Sequence, residues 1–206
     1  MKNSLFVLSV FFFLSAVSLQ AQQTRFGVKA GVNFASISGD DTEDLSSRTG
    51  LHLGAVMQIP FSERFSFQGE LLYTSVGAKF EESEDGFSLE SIEKLNYIAL
   101  PILAKFYAAP GFSLEAGPQA AFLVSAKNET TASFEGETET ETEDIAEFIS
   151  TFDLAFALGA AYELENGLFF SARYNLGISN IVADAGGSGY SNQNSVIQLS
   201  AGFMFN

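Results

Sequence analysis

Apolar and polar side chains alternate along most of this chain, and the pattern is longest between Phe112 and Val124. Phe112, Leu114, Ala116, Pro118, Ala120, Phe122 and Val124 make one apolar face. Ser113, Glu115, Gly117 and Gln119 lie on the other, which Ala121 and Leu123 interrupt. A period of two sends successive side chains to opposite faces of a strand. Thirteen residues of it exceed the ~5–6 of an ordinary strand. Leu95–Tyr107 precedes this stretch across Ala108-Ala-Pro-Gly111, so the two predict a hairpin with a tight turn.

The same alternation predicts six further strands. They run from Arg25 to Phe34, Thr49 to Pro60, Phe65 to Phe80, Thr151 to Leu164, Leu168 to Ser179 and Ser195 to Asn206. The third loses its phase past Ser75, as a β-bulge would cause. Long polar connections are expected over Ile37–Arg48, Glu81–Ile92, Asn128–Ser150 and Asn180–Asn194. Short turns are expected at Pro60–Arg64, at Ala108–Gly111 and at Glu165-Asn-Gly167, where Asn-Gly suits a type I′ hairpin. Within the third long connection, Glu137-Thr-Glu-Thr-Glu-Thr-Glu-Asp144 alternates too. It reads either as a loop or as a hairpin continuing strands five and six, with threonines on one face and glutamates on the other.

Eight strands joined alternately by long and short connections match an all-β, eight-stranded antiparallel transmembrane barrel, with four long outer loops and three short periplasmic turns. A soluble eight-stranded barrel would turn the apolar set inward. Two features favour apolar-out. The polar set is mostly glycine, small residues and a few charges of both signs. Aromatics stand towards strand ends at Phe26, Phe34, Phe65, Tyr73, Phe112, Phe152, Tyr162 and Phe205, as a girdle at a lipid interface requires. Lys29, Glu70, Lys105, Glu115, Asp153 and Arg173 then fall on the inward phase and are expected to form a barrel-interior polar network, with Gln119 and Glu163 beside them. An eight-stranded interior is just wide enough for side chains, and buried charges must pair. The expectation is a plug; a narrow channel for small solutes or ions is the alternative.

Charge and the amino terminus then place the chain. Met1-Lys-Asn-Ser, an apolar run from Leu5 to Leu19 and Gln-Ala-Gln have the layout of a secretory signal. Residues 1–21 are expected to be cleaved, leaving a barrel domain at 22–206. No later stretch suits a membrane-spanning helix, so membrane insertion would be by strands. The formal charge of −15 argues against nucleic acid as a partner. The absence of cysteine excludes disulfides and thiolate chemistry. Acids crowd the long connections: Asp40, Asp41, Glu43 and Asp44, then Glu81, Glu82, Glu84, Asp85 and Glu90, then Glu129 to Glu147, and Asp184.

Several stretches resemble the outer-membrane β-barrel family of Bacteroidota, called porin-family or PorT-like proteins. They are Phe26-Gly-Val-Lys-Ala-Gly-Val-Asn33, Glu70-Leu-Leu-Tyr73, Leu95-Asn-Tyr-Ile-Ala-Leu-Pro-Ile-Leu-Ala-Lys105, Gly117-Pro118, Asp153, Arg173-Tyr174 and Gly202-Phe203. The strand of form Tyr-x-x-x-Pro-x-x-x-Lys is the most specific. The resemblance implies an outer-membrane barrel of a Gram-negative bacterium and allows a part in protein secretion. Phe205 is followed by Asn206, whereas such barrels tend to end on an aromatic residue.

Candidate chemistry is sparse. His52 is the single histidine, and no Gly-x-Ser-x-Gly elbow stands on a strand–helix turn. His52 is therefore expected to be a hydrogen-bonding interior residue, and no enzyme activity and no cofactor are expected. The work expected of the chain is structural or interactive. It would meet the lipid bilayer through its wall, and a surface or periplasmic protein through its connections. Divalent cations would bind weakly at the acidic loops, whose oxygen ligands follow no EF-hand order.

Overall fold

The structure is a computed structural model and describes residues 24–84, 87–134, 137–183, 189 and 191–205. Its strands are β1 (Arg25–Gly39), β2 (Leu45–Pro60), β3 (Phe65–Val76), β4 (Ala78–Glu84), β5 (Phe87–Ala109), β6 (Phe112–Phe134), β7 (Glu137–Asp144), β8 (Phe152–Glu163), β9 (Leu168–Gly177) and β10 (Asn192–Phe205). Every ladder is antiparallel, and β1 pairs with both β2 and β10, which closes the sheet. Two strands are continuations of others. β4 prolongs β3, both lying between β2 and β5, and β7 prolongs β8 along β6. The ring therefore has eight staves. The expected signal at 1–21 lies outside the described residues.

Gly77 separates β3 from β4 at φ +133°, a backbone conformation that suits glycine. Beside it the register against β2 slips by one residue, between His52↔Thr74 and Ser47↔Ala78. This is where the alternation fails past Ser75. A second irregularity sits at Pro101 on β5. The β3–β5 ladder lacks the pairs between Gly69↔Ile102 and Leu72↔Ala99, as expected beside a residue with no N–H to donate.

The exterior is apolar. All eight end-of-strand aromatics named from the sequence are exposed, and Leu51, Leu53, Leu71, Leu158, Leu176 and Leu199 stand between them. A continuous apolar belt of this extent does not face water. The interior has two storeys. Towards the short turns it is polar: Lys29, Gln58, Gln68, Glu70, Lys105, Glu115 and Arg173 are buried. Towards the long connections an apolar cluster dominates, with Leu72, Val76, Leu95, Tyr97, Ala121 and Val196, beside buried Gln119, Asp153 and Asn194. Ala121 and Leu123, which interrupt the polar face in the sequence, respectively lie in this upper cluster and pack against it. Where inward and outward residues are both apolar, as in Leu71-Leu72, the period-two contrast that separates the faces vanishes.

Two of the long connections are sheet. Residues 81–84 pair with 87–90 in the β4–β5 ladder, and 128–134 with 137–143 in the β6–β7 ladder, so β5 and β6 reach 23 residues each. Backbone pairing needs no apolar face, and cross-strand side chains reinforce it. Lys79 pairs with Glu81 and Glu90, Lys94 pairs with Glu129, and the hydroxyls of Thr131 and Thr140 meet at 3.2 Å. The Glu-Thr run is thus the hairpin alternative, not the loop. Its glutamates sit opposite Asn128, Thr130, Ala132 and Phe134, and its threonines opposite Glu129, Thr131 and Ser133. Asp85 and Asp184 lie outside the described residues.

Residues 146–150 and 181–183 fold back over the mouth. After the 3-10 turn Ala146–Phe148, Ile149 bridges Val182, and Ser150 N–H donates to Ile181 O at 2.7 Å. Ile149 and Ile181 are buried in the upper cluster, so connection residues complete the apolar stopper that the staves begin.

Candidate functional site

Five of the six interior residues singled out from the sequence meet in the lower storey. Period-two strands tilted around a closed ring bring β1, β3, β5, β6 and β9 side chains to one level. Glu70 accepts from Lys29 Nζ at 3.0 Å and takes Arg173 in a two-pronged contact, from Nη2 at 2.8 Å and Nη1 at 3.0 Å. Arg173 also reaches Glu115 Oε1 through Nε at 2.9 Å and Nη2 at 2.7 Å. Lys105 Nζ donates to Gln68 Oε1 at 3.1 Å and stands 3.8 Å from Glu115 Oε2. A guanidinium engaged by two carboxylates through a planar fork is held in one orientation. These contacts cross the lumen, so the charges occupy it rather than line it.

Asp153 does not join them. It accepts from Ser179 Oγ at 2.8 Å and from Asn194 Nδ2 at 2.9 Å, near Tyr97 in the upper storey. Its place on β8 sets it above the level of Glu115, since Asp153 pairs with Ala121 and Glu115 with Gly159. Glu163 is also elsewhere, bound to Arg25 at the short-turn rim. Gln119 is buried beside Asp153. The cavity these upper residues share, bounded by Thr74, Tyr97, Asp153 and Gln198, measures about 20 Å³, room for roughly one water.

His52 lies between the storeys. Asn33 Oδ1 accepts from Gln198 Nε2 at 3.1 Å and contacts His52 Nδ1 at 2.8 Å, so Nδ1 is the donor. That leaves Nε2 to accept from Ser200 O–H at 2.8 Å. Asn33 is fixed in turn by donating to Thr74 Oγ1 at 2.8 Å and Ser75 O at 2.9 Å. The order Asn–His–Ser is one that hydrolases use, yet His52 is 1% exposed and Ser200 7%. No reacting carbonyl can reach that hydroxyl without displacing the packing around it. Sequence reasoning missed Asn33 and Ser200. Their signal was inward phase alone, shared with many small polar residues. Gly31 makes the arrangement possible, since a Cβ there would come 2.8 Å from His52 Cε1.

At the short-turn end, Val56, Phe169 and Met204 cluster across the lumen, with Gln58, Ser66 and Tyr107 hydrogen-bonded beside them. Inward side chains thus fill the interior at four levels: this rim, the charged network, the His52 level and the apolar cluster above.

A closed eight-stave ring with an apolar belt outside and paired charges inside is a transmembrane β-barrel. Residues 20–183 match the family described as outer membrane protein beta-barrel domain, and the chain belongs to that family. It is an outer-membrane protein, with its belt in the lipid. No curated protein matches it. Among solved structures, the attachment invasion locus protein Ail of Yersinia pestis is 16% identical. Its TM-score is 0.51, over 88% of this chain and 98% of that one. Neisserial surface protein A is 15% identical with a TM-score of 0.47, over 87% and 97%. OprG of Pseudomonas aeruginosa is 14% identical with a TM-score of 0.36, over 88% and 96%. The likeness to Ail is one of fold.

Proposed function

We propose that this chain is a non-enzymatic, plugged outer-membrane barrel that works through the acidic sheet it raises above the membrane. The observation that carries the reading is the Lys29–Glu70–Arg173–Glu115 chain of contacts across the lumen. An ion entering there would have to break bidentate pairs in a low-dielectric site, which is costly. The raised sheet, formed by β4, β5, β6 and β7, is left to meet partners. Glu137, Glu139, Glu141 and Glu143 stand exposed on one of its faces. A basic surface or periplasmic protein, or diffusely held divalent cations, would suit it. Residues 1–21 serve as the export signal in this reading, and residues 22–206 form the mature barrel.

The PorT-like resemblance of Bacteroidota also gains a physical sense. Tyr97, Pro101 and Lys105 are all inward-facing and buried on β5, so Tyr-x-x-x-Pro-x-x-x-Lys is a lumen-filling pattern. The test is single-channel recording of the refolded mature chain in a planar bilayer. Silence from a folded, heat-modifiable barrel is expected. Steady openings would overturn the plug and install the alternative, a narrow channel whose current should then change with Lys105→Ala or Arg173→Ala.

A further inference from the structure

Above the stopper, the mouth holds a cavity of about 280 Å³, close to the lower size of small-molecule sites. Its apolar wall includes Ile37, Leu45, Ala78, Ile149, Ile181 and Val182. The carboxylate of Glu93 lines it, and among the described residues no hydrogen bond or ion pair involves that side chain. Asn192 also lines the cavity, but its Oδ1 is turned towards Gly39 and away from the open space. Asn128 Oδ1 already accepts from Ser91 Oγ at 2.8 Å.

Nearby bases are engaged elsewhere. Lys94 pairs with Glu129 and Lys79 with Glu81 and Glu90, while Arg48 donates to Ser75 Oγ and Val76 O. The site therefore offers apolar surface and one idle charged acceptor, beneath an exposed acidic sheet. Such a lining repels carboxylates and phosphates and suits a donor that carries positive charge.

We propose that this cavity binds a small alkylammonium amphiphile, its aliphatic chain against Ile37, Ile149 and Ile181 and its ammonium at Glu93. Burial pushes the Glu93 carboxyl up from its ordinary range, and a bound ammonium would reverse that by supplying the missing partner. The site lies outside the lumen network, so it stands whether or not the barrel conducts.

The test uses the full mature chain in lipid nanodiscs with labelled isoleucine δ1-methyls. Ile37, Ile149 and Ile181 report the cavity, whereas Ile102 and Ile197 face the lipid and report partitioning. Titration with butyl-, hexyl- and octylammonium should shift the cavity methyls saturably. Affinity should rise about fourfold per methylene until the chain fills the space. Glu93→Gln should weaken hexylammonium at least tenfold and leave hexanol unchanged. Val182→Trp, at the edge of the cavity, should weaken both, and heat-modifiability would show that each variant folds. Cavity methyls that move only in step with Ile102 and Ile197 would overturn the site. Equal binding of hexylammonium by Glu93→Gln would overturn the assigned role of the carboxylate.

Discussion

The two storeys of the lumen are built on the same inward face, yet they are filled by opposite means. Below, Glu70 and Glu115 hold Lys29, Lys105 and Arg173 in a lattice of directed bonds. Above, Leu72, Val76, Leu95 and Tyr97 pack as a soluble core would, with Ile149 and Ile181 pressed in from the connections. The lower storey is rigid because each bond fixes an angle and breaking one strands a charge. The upper storey is tolerant of chemistry but not of volume, because close packing is what it contributes. One inward face can thus be filled by paired charge at one level and by apolar packing at the next.

The comparison is broken most severely at Glu70. Glu70→Leu removes the shared partner of Lys29 and Arg173 and should lower stability by ~3–5 kcal/mol, read as the urea midpoint of the heat-modifiable band. A loss below ~1 kcal/mol would mean the network is not what holds that storey. Leu95→Ala, fully buried above, should cost ~2–5 kcal/mol through the cavity it opens. Conductance should remain silent, since the charged level is untouched. His52→Ala strands Asn33 and Ser200 between the storeys and should cost ~1–3 kcal/mol; a larger loss would tie the two storeys into one unit.

The smaller effects lie outside the membrane. A buried acid whose proton affinity is raised favours folding most fully below the ordinary carboxylate range, and that contribution is lost as pH rises through the raised value. Glu93 is such a group. Glu93→Gln should therefore stabilise the barrel at pH ~7 and leave it unchanged near pH ~3. The opposite ordering in paired unfolding curves would contradict its burial. Replacing Glu137, Glu139, Glu141 and Glu143 together by Gln should change stability by no more than ~0.5 kcal/mol, since that face is solvated and carries no part of either storey.

Much of this was legible in order of contrast. Strands with one greasy and one polar face, such as Phe112–Gln119, announced both their conformation and their orientation. The convergence of Lys29, Glu70, Lys105, Glu115 and Arg173 followed from inward phase plus a lumen too narrow to keep charges apart. Asp153 shared the phase but not the level, and phase alone carries no height. The raised hairpins were obscured because dense acid and hydroxyl residues look like loop, although backbone ladders and cross-strand pairs such as Ser133 with Thr138 hold them as sheet.

By itself, then, the chain determined an eight-stave ring, its apolar exterior and its paired inward charges, because side-chain alternation is a local property that each strand carries alone. Only the tertiary structure decided which inward residues share a level, how His52 finds Asn33 and Ser200, and that Ile149 and Ile181 turn back to stop the mouth. Those contacts depend on register and stagger between strands distant in sequence, and on connections with no period to read.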